Sequence, residues 1–230
     1  MRFGGLIAVD GVDLDVDDRE LVGIIGPNGA GKTTFFHTLS GVLRPTAGRL
    51  IVRGDDLTGR APDVFARHGV ARTFQTPRVF RDMAAVANVR FGLEFAGRHR
   101  RHAHDAFNDA RSLLAFLGLD DVAGRPAGAL TPARQRLLEI GMALATRPDV
   151  LLLDEVAAGL TEREVETTAG IIRRVRDELG LAVVWIEHAV RALLGAVERV
   201  AVLHQSRKIA DGPAAAVARD PVVAEVYLGR

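Results

Sequence analysis

The stretch Leu21–Thr34, LVGIIGPNGAGKTT, is a short apolar run, a glycine-rich turn and the opening of the helical pattern Thr34–Gly41. That order reads as strand, loop, helix. Gly26 to Thr33 matches the pattern Gly-x-x-x-x-Gly-Lys-Ser/Thr in full. Glycines at these positions let successive backbone N–H groups curl around a phosphate without a Cβ in the way. The helix N-terminus adds partial positive charge, Lys32 reaches the β- and γ-phosphates, and the Thr33 hydroxyl can ligate Mg²⁺. The phosphate-binding set is then Gly26, Pro27, Asn28, Gly29, Ala30, Gly31, Lys32, Thr33 and Thr34. A merely structural glycine turn is the competing explanation. The flanking strand and helix weigh against it, and so does the lysine: of 30 basic residues only Lys32 and Lys208 are not arginine.

Working outward, Leu50–Val52 and Val70–Phe74 read as short strands, and Met83 to Leu117 is mostly helical with a polar interruption at Gly97–His104. Thr131-Pro132 opens a helix with a threonine cap and proline at its first position. Val150–Leu153 is a buried strand ending in Asp154-Glu155, and Thr161-Glu162-Arg163-Glu164 is a capping box for the next helix. Leu181–Ile186 is another buried strand, ending in Glu187-His188. Val200–Leu203 and Lys208–Asp211 close the sheet, and Asp220-Pro221 starts a terminal helix. Alternating strands and helices around continuous apolar strands predict an α/β fold with a parallel sheet covered on both faces. The interval from about 76 to 147, lacking a strong strand, reads as a helical insertion.

Composition excludes several classes. The 230 residues carry 30 Lys+Arg against 29 Asp+Glu, a net charge of +1, so no basic field calls for nucleic acid. The absence of cysteine removes disulfides, thiolate catalysis and Cys-ligated zinc. The longest apolar run is about six residues, against roughly 20 for a membrane span. The N-terminus lacks a secretory apolar segment, so a cytosolic chain is expected.

Asp154 ends an aliphatic strand where an open α/β sheet presents its ligand crevice. An acid there can hold Mg²⁺, and Glu155 beside it can polarise an attacking water. The phosphate loop, Gln75 in RTFQTPRVF, LTPARQR before a long helix, LLLDEVAAGL and IEH at 186–188 follow in order and spacing. Over essentially the whole chain this resembles the ATP-binding subunit of an ABC transporter. ARTFQ…VF, DE-x-AAGL and the tail VVAEVYLG are most similar to the ATPases of branched-chain amino acid uptake systems.

That resemblance implies one ATPase domain with a RecA-like parallel-sheet core, a small antiparallel β region and a helical subdomain. The core and β region would occupy about 1–75 and 148–230, the helical subdomain about 76–147. Two subunits would clamp two ATP molecules, each between one chain's phosphate loop and the other's signature helix. Thr33, Gln75 and Asp154 would organise Mg²⁺, Glu155 would act as base, and His188 would contact the γ-phosphate. Phe3 fits the adenine-stacking aromatic, with plain core packing as its other explanation. Asn28 and Ala157–Thr161 would lie near the dimer seam. Pro77–Phe91 matches the region that receives an integral membrane permease, which places the chain at the cytoplasmic face of the membrane.

The sequence departs from that family at the signature, usually L-S-G-G-Q, here Leu130-Thr131-Pro132-Ala133-Arg134. Thr131 keeps a hydroxyl, Pro132 removes an N–H donor, Ala133 adds a Cβ near the γ-phosphate, and Arg134 adds a cation. Weakened nucleotide binding is the favoured consequence; replacement of the lost contacts by the Arg134 charge is the other. Because the phosphate loop is complete, a heterodimer with an intact partner is expected rather than a homodimer. Val156 replaces the usual proline after Asp-Glu. The chain starts at what resembles the adenine-stacking loop, without the usual first strand. His99, His102 and His104 read as a solvated basic loop, not a metal site.

Two other functions stay in view: a lipopolysaccharide-type exporter ATPase and a nucleotide-binding partner with little turnover. A soluble ABC ATPase of DNA repair or translation is disfavoured, because the interval from Lys32 to Asp154 has no sustained heptads.

Overall fold

Aliphatic runs bounded by glycine or charge form strands that are covered on both faces, which positions everything else. The computed structural model of the chain describes residues 1–95, 107, 109–187 and 190–228. It begins with a minimal antiparallel hairpin, β1 (Arg2–Phe3) and β2 (Leu6–Ile7), followed by β3 (Leu21–Ile25) and α1 (Lys32–Leu39). A second hairpin, β4 (Ile51–Val52) and β5 (Asp55–Asp56), precedes α2 (Pro62–Arg67) and β6 (Val70–Arg72). Three helices then run in succession: α3 (Ala85–Phe95), α4 (Ala110–Phe116) and α5 (Pro132–Ala145). The chain returns as β7 (Val150–Asp154), α6 (Glu162–Leu179), β8 (Ala182–Ile186) and α7 (Val190–Leu194). It ends with β9 (Arg199–His204), β10 (Arg207–Pro213), α8 (Ala214–Val217) and α9 (Pro221–Leu228).

Among the described residues the central sheet has the order β10-β9-β3-β8-β7-β6. Its pairings are parallel except for β9 with β10. Side chains alternate across it as a strand requires. Leu151, Leu153, Val183 and Trp185 enter one core with α5 and α6 residues. Leu152, Val184 and Ile186 enter the other with Phe36 and Phe65. The register sets Asp154 opposite Ile186, and Ile186 opposite Ile24, so β7, β8 and β3 end at one edge.

The α/β fold with a parallel sheet agrees with the sequence. The strand expected over Val70–Phe74 stops at Arg72; Thr73 still donates its N–H to Leu152 O at 2.9 Å, and the chain then turns out of the sheet. The small β region consists of two-residue hairpins rather than longer strands. The 97–104 interruption, with His99, His102 and His104, lies outside the described residues.

Thr131 caps α5, accepting from Arg134 N, with Pro132 at the first turn. Thr161 and Glu164 form the expected capping box: Thr161 N donates to Glu164 Oε2 at 2.9 Å, and Thr161 Oγ1 accepts from Glu164 N at 3.4 Å. Gly180 ends the helix in a left-handed conformation. We expect Thr161→Ala to lose about 1 kcal/mol of stability, read from urea midpoints with an unchanged slope; no loss would mean the box is not holding the helix.

Candidate functional site

The phosphate loop owes its shape to close backbone packing at two glycines. A Cβ on Gly26 would stand 2.2 Å from Leu203 O, and one on Gly31, at φ +96°, 2.1 Å from Ala8 O. Neither position has room for a side chain. Ser206, after β9, donates its hydroxyl to Ile7 O at 2.7 Å and seats the first hairpin over the loop. Between hairpin and loop lies an open cleft of about 400 Å³, lined by Leu6, Ile7, Ala8, residues 28–34, Gln75, Glu155 and Ser206.

Most of the phosphate-binding set therefore lines one cleft. Gly26 and Pro27 stand behind it, and their carbonyls accept Lys32 Nζ at 2.7 and 3.1 Å. Lys32 is buried, and burial lowers its pKa while the Glu155 charge opposes that shift. Phe3 is not among the lining residues; it is exposed on β1 opposite Leu6, and Leu6 reaches the cleft.

Asp154 is the last residue of β7 and Glu155 the first beyond it. Asp154 is buried; its N–H donates to Thr73 Oγ1 at 3.1 Å, and Oδ2 lies 3.3 Å from Arg72 Nη2. Arg72 also donates to Ser40 Oγ at 2.8 Å and stacks on Phe74. Its burial lowers its pKa, and Asp154 pulls the other way. Glu155 has φ +50°, a left-handed backbone rare for a residue with a side chain. Its N–H is held by Ile186 O at 2.9 Å, and Gln75 Nε2 donates to Glu155 Oε2 at 2.9 Å. Lys32, Gln75 and Glu155 thus share the cleft. His188 lies outside the described residues.

Thr131, Ala133 and Arg134 do not line this cleft; they begin α5 in the helical region. Thr131 and Pro132 are exposed while Ala133 is buried, so the open face presents a hydroxyl and a proline ring rather than the Ala133 methyl. Arg134 Nη1 donates to Asp121 Oδ2 at 2.8 Å.

Four largely buried charged residues were missed by the sequence reading: Arg72, Arg136, Glu139 and Glu187. Glu187 Oε1 accepts from Ala157 N at 2.6 Å and Trp185 Nε1 at 3.2 Å, so it supports the loop after Glu155. Arg136 donates to Gln75 O at 3.2 Å and Ala158 O at 3.0 Å. Glu139 Oε1 accepts from Arg78 N at 2.8 Å. The signal that could have found Arg136 and Glu139 is a charge pair three residues apart beside and within the otherwise apolar run Leu137–Leu144.

The donor set suits Mg²⁺ together with nucleotide phosphates: a threonine hydroxyl (Thr33), an amide oxygen (Gln75) and a carboxylate (Asp154) are hard oxygen ligands. No group of three or more His, Cys, Asp or Glu that could hold a metal exists among the described residues.

A largely parallel sheet with a phosphate loop after β3, an acid pair at the end of β7 and a glutamine lining the cleft defines an ATP-binding cassette. The family described as "ABC transporter" matches residues 9–158, more than half of the chain, and the chain belongs to it. Residues 207–230 match a second family, "Branched-chain amino acid ATP-binding cassette transporter". The chain is 38% identical over 241 residues to the high-affinity branched-chain amino acid transport ATP-binding protein BraF of Pseudomonas aeruginosa, covering 100% of this chain and 94% of BraF. It is equally similar, 38% over 242 residues with the same coverage, to LivG of Escherichia coli, which carries the same description. Among solved structures, the ADP conformation of MJ1267, an ATP-binding cassette of an ABC transporter, superposes with a TM-score of 0.87 at 29% identity, covering 100% of this chain and 96% of that one. This chain is an ATP-binding, ATP-hydrolysing subunit of an ABC transporter. No described helix is long and apolar enough to cross a membrane.

Glu139 gives the site a pH signature. Burial raises its pKa from 4.5 to about 7, against loop N–H groups and the Arg136 and Arg78 charges. Between those values the unfolded chain has released a proton that the folded chain keeps, so this group's contribution to stability declines as pH rises through about 4.5 to 7. We expect Glu139→Gln to gain stability relative to the native chain across that window, by on the order of 2–3 kcal/mol above pH 7. Parallel urea midpoints from pH 5 to 8 would overturn this.

Proposed function

We propose that this subunit drives uptake of branched-chain amino acids or related polar solutes through an integral membrane permease, from the cytoplasmic face. The solute is supported by the descriptions of BraF and LivG and by the match over residues 207–230; uptake as the direction follows from the resemblance of ARTFQ…VF and DE-x-AAGL to uptake ATPases. Docking to a permease is supported by exposed Phe80, Met83 and Phe91 in the segment expected to receive it, with the Phe80 and Phe91 rings 5.0 Å apart.

The observation that carries the chemistry is the convergence of Lys32, Gln75 and Glu155 on one cleft. ATP phosphates lie along residues 26–34, where N–H groups and the start of α1 offset their charge. Lys32 exchanges the carbonyls of Gly26 and Pro27 for β- and γ-phosphate oxygens. Thr33, Gln75 and Asp154 would hold Mg²⁺, which would supply charge neutralisation at the transferring phosphoryl group. Glu155 takes the proton of the attacking water as that oxygen bonds the γ-phosphorus and the bond to the leaving β-phosphate oxygen breaks. Gln75 orients Glu155, His188 contacts the γ-phosphate, and Phe3 or Leu6 meets the adenine.

The second ATPase subunit is a different chain with an intact signature. Two features support this: Pro132 offers no N–H, and the Arg134 charge is already matched by Asp121. A heterodimer then has one full site, built on this chain's phosphate loop and the other subunit's signature.

In the transporter purified through a tag on this chain, Glu155→Gln should cut ATP turnover by roughly 10²–10³ and leave Mg-ATP binding in place. Lys32→Ala should abolish binding itself. Mass spectrometry of the same preparation should find a permease and a second ATPase subunit. Turnover at full transporter rates by this chain alone would refute the heterodimer, and unchanged Mg-ATP affinity in Lys32→Ala would refute the site.

A further inference from the structure

The Gln75 loop and the loop after Glu155 come from different strands and meet at a side-chain hydrogen bond, Gln75 Nε2 to Glu155 Oε2 at 2.9 Å. One residue of α5 also reaches both. Arg136 is 8% exposed; Nη1 donates to Gln75 O at 3.2 Å and Nη2 to Ala158 O at 3.0 Å. Ala158 N in turn donates to Glu155 O at 3.1 Å. Arg136, Gln75, Glu155 and Ala158 therefore close a ring of hydrogen bonds around the reacting edge of the cleft.

We propose that Arg136 is a positioning residue for hydrolysis: its guanidinium fixes the separation between the Gln75 loop and the Glu155 loop and makes both follow the helical region. This rests on the roles given above to Gln75 and Glu155.

Both acceptors are main-chain carbonyls, so the contact fixes backbone rather than a side-chain rotamer. A planar guanidinium has two N–H groups aimed apart, which suits bridging two carbonyls; a lysine ammonium is a single point of charge on a flexible stem. The neighbouring contacts complete the frame. Glu139, three residues further along α5, holds Arg78 N at 2.8 Å, so the helix grips the far side of the Gln75 loop as well. Glu187 holds Ala157 N at 2.6 Å from the core side. The loop after Glu155 is thus fixed to the sheet through Glu187 and to the helical region through Arg136. Because α5 packs against α3 and α4, a rotation of that region moves both loops together. Displacing reacting groups by about 1 Å can cost on the order of 10²-fold in rate, so a bridge that sets this distance acts on turnover.

The test compares Arg136→Met, Arg136→Lys and Glu155→Gln. In the purified transporter we expect Arg136→Met to lower kcat by roughly 10- to 100-fold with KM for Mg-ATP within about twofold, and Arg136→Lys to recover part of the loss. On the purified chain, amide exchange should quicken roughly tenfold in residues 73–78 and 156–161 together, and nowhere else. A global packing role would quicken exchange throughout the chain and overturn the proposal. So would exchange confined to one loop, or an unchanged kcat. If Arg136→Met does not fold, Arg136→Lys carries the test, with the same paired pattern at smaller amplitude expected and its absence decisive against the bridge. Unaffected turnover in Glu155→Gln would instead overturn the catalytic assignment beneath the proposal, whereas its loss beside a normal Arg136→Met overturns Arg136 alone.

Discussion

Parallel pairing of β3, β8 and β7 is the constraint on which the site depends. In a parallel sheet all strands point one way, so the loops at their carboxyl ends emerge at the same edge. The register places Ile24 and Asp154 on either side of Ile186. Gly26, Glu155 and Glu187 leave the sheet within one or two residues of that line. Three segments far apart in sequence thus deliver a phosphate loop, an acid pair and a supporting carboxylate to one edge of the sheet, where Glu155 and the loop line the cleft. The aliphatic runs that form the strands carry no catalytic groups, yet a slip of one residue in their pairing would turn Asp154 to the opposite face.

Burying charge at that edge requires a partner for each charge, and the partners found are specific. Asp154 has Arg72, Gln75 faces Glu155, and Lys32 is folded onto carbonyls of its own loop. Lys32 is held by two neutral acceptors while burial disfavours its charge, so the phosphates of the proposed nucleotide would be far better partners. Arg72 is the opposite case. It is bound to Ser40 and Asp154 and stacked on Phe36 and Phe74, so its guanidinium is oriented on every side. The left-handed backbone at Glu155 belongs with this rigidity. Such a conformation costs of order 1–3 kcal/mol and persists where surrounding contacts enforce it.

How much of this was legible depends on which contacts are local. The phosphate loop, the acid pair, the α5 cap and the Thr161–Glu164 box each lie within a few consecutive residues, and their geometry obeys local backbone rules. Gln75 could be named only through resemblance to a family, because its partner Glu155 lies eighty positions away. Arg72, Arg136, Glu139 and Glu187 escaped for the same reason. Their partners Asp154, Ala158, Arg78 and Ala157 are brought against them only by the fold, although Arg136 and Glu139 do stand out locally as charges beside and within an apolar run. At the first hairpin the sequence singles out only the aromatic Phe3; that Leu6, Ile7 and Ala8 line the cleft follows from the hairpin's seating over the loop, a contact between distant segments.

The signature region divides α5 into two jobs that the sequence presents as one motif. Its first turn, Thr131 to Arg134, faces away from this chain's own cleft and is where the chain departs from its family. Its second turn, Arg136 and Glu139, is buried and bound to this chain's Gln75 loop. Pro132 is compatible with the helix because the first turn has no intrahelical use for its N–H, so α5 still forms and still delivers Arg136. What a chain contributes to a second subunit's nucleotide can therefore change while its hold on its own catalytic loops stays intact. The proposed pair with one strong site and one weak site would need that independence, and the step from the first to the second turn of α5 would provide it.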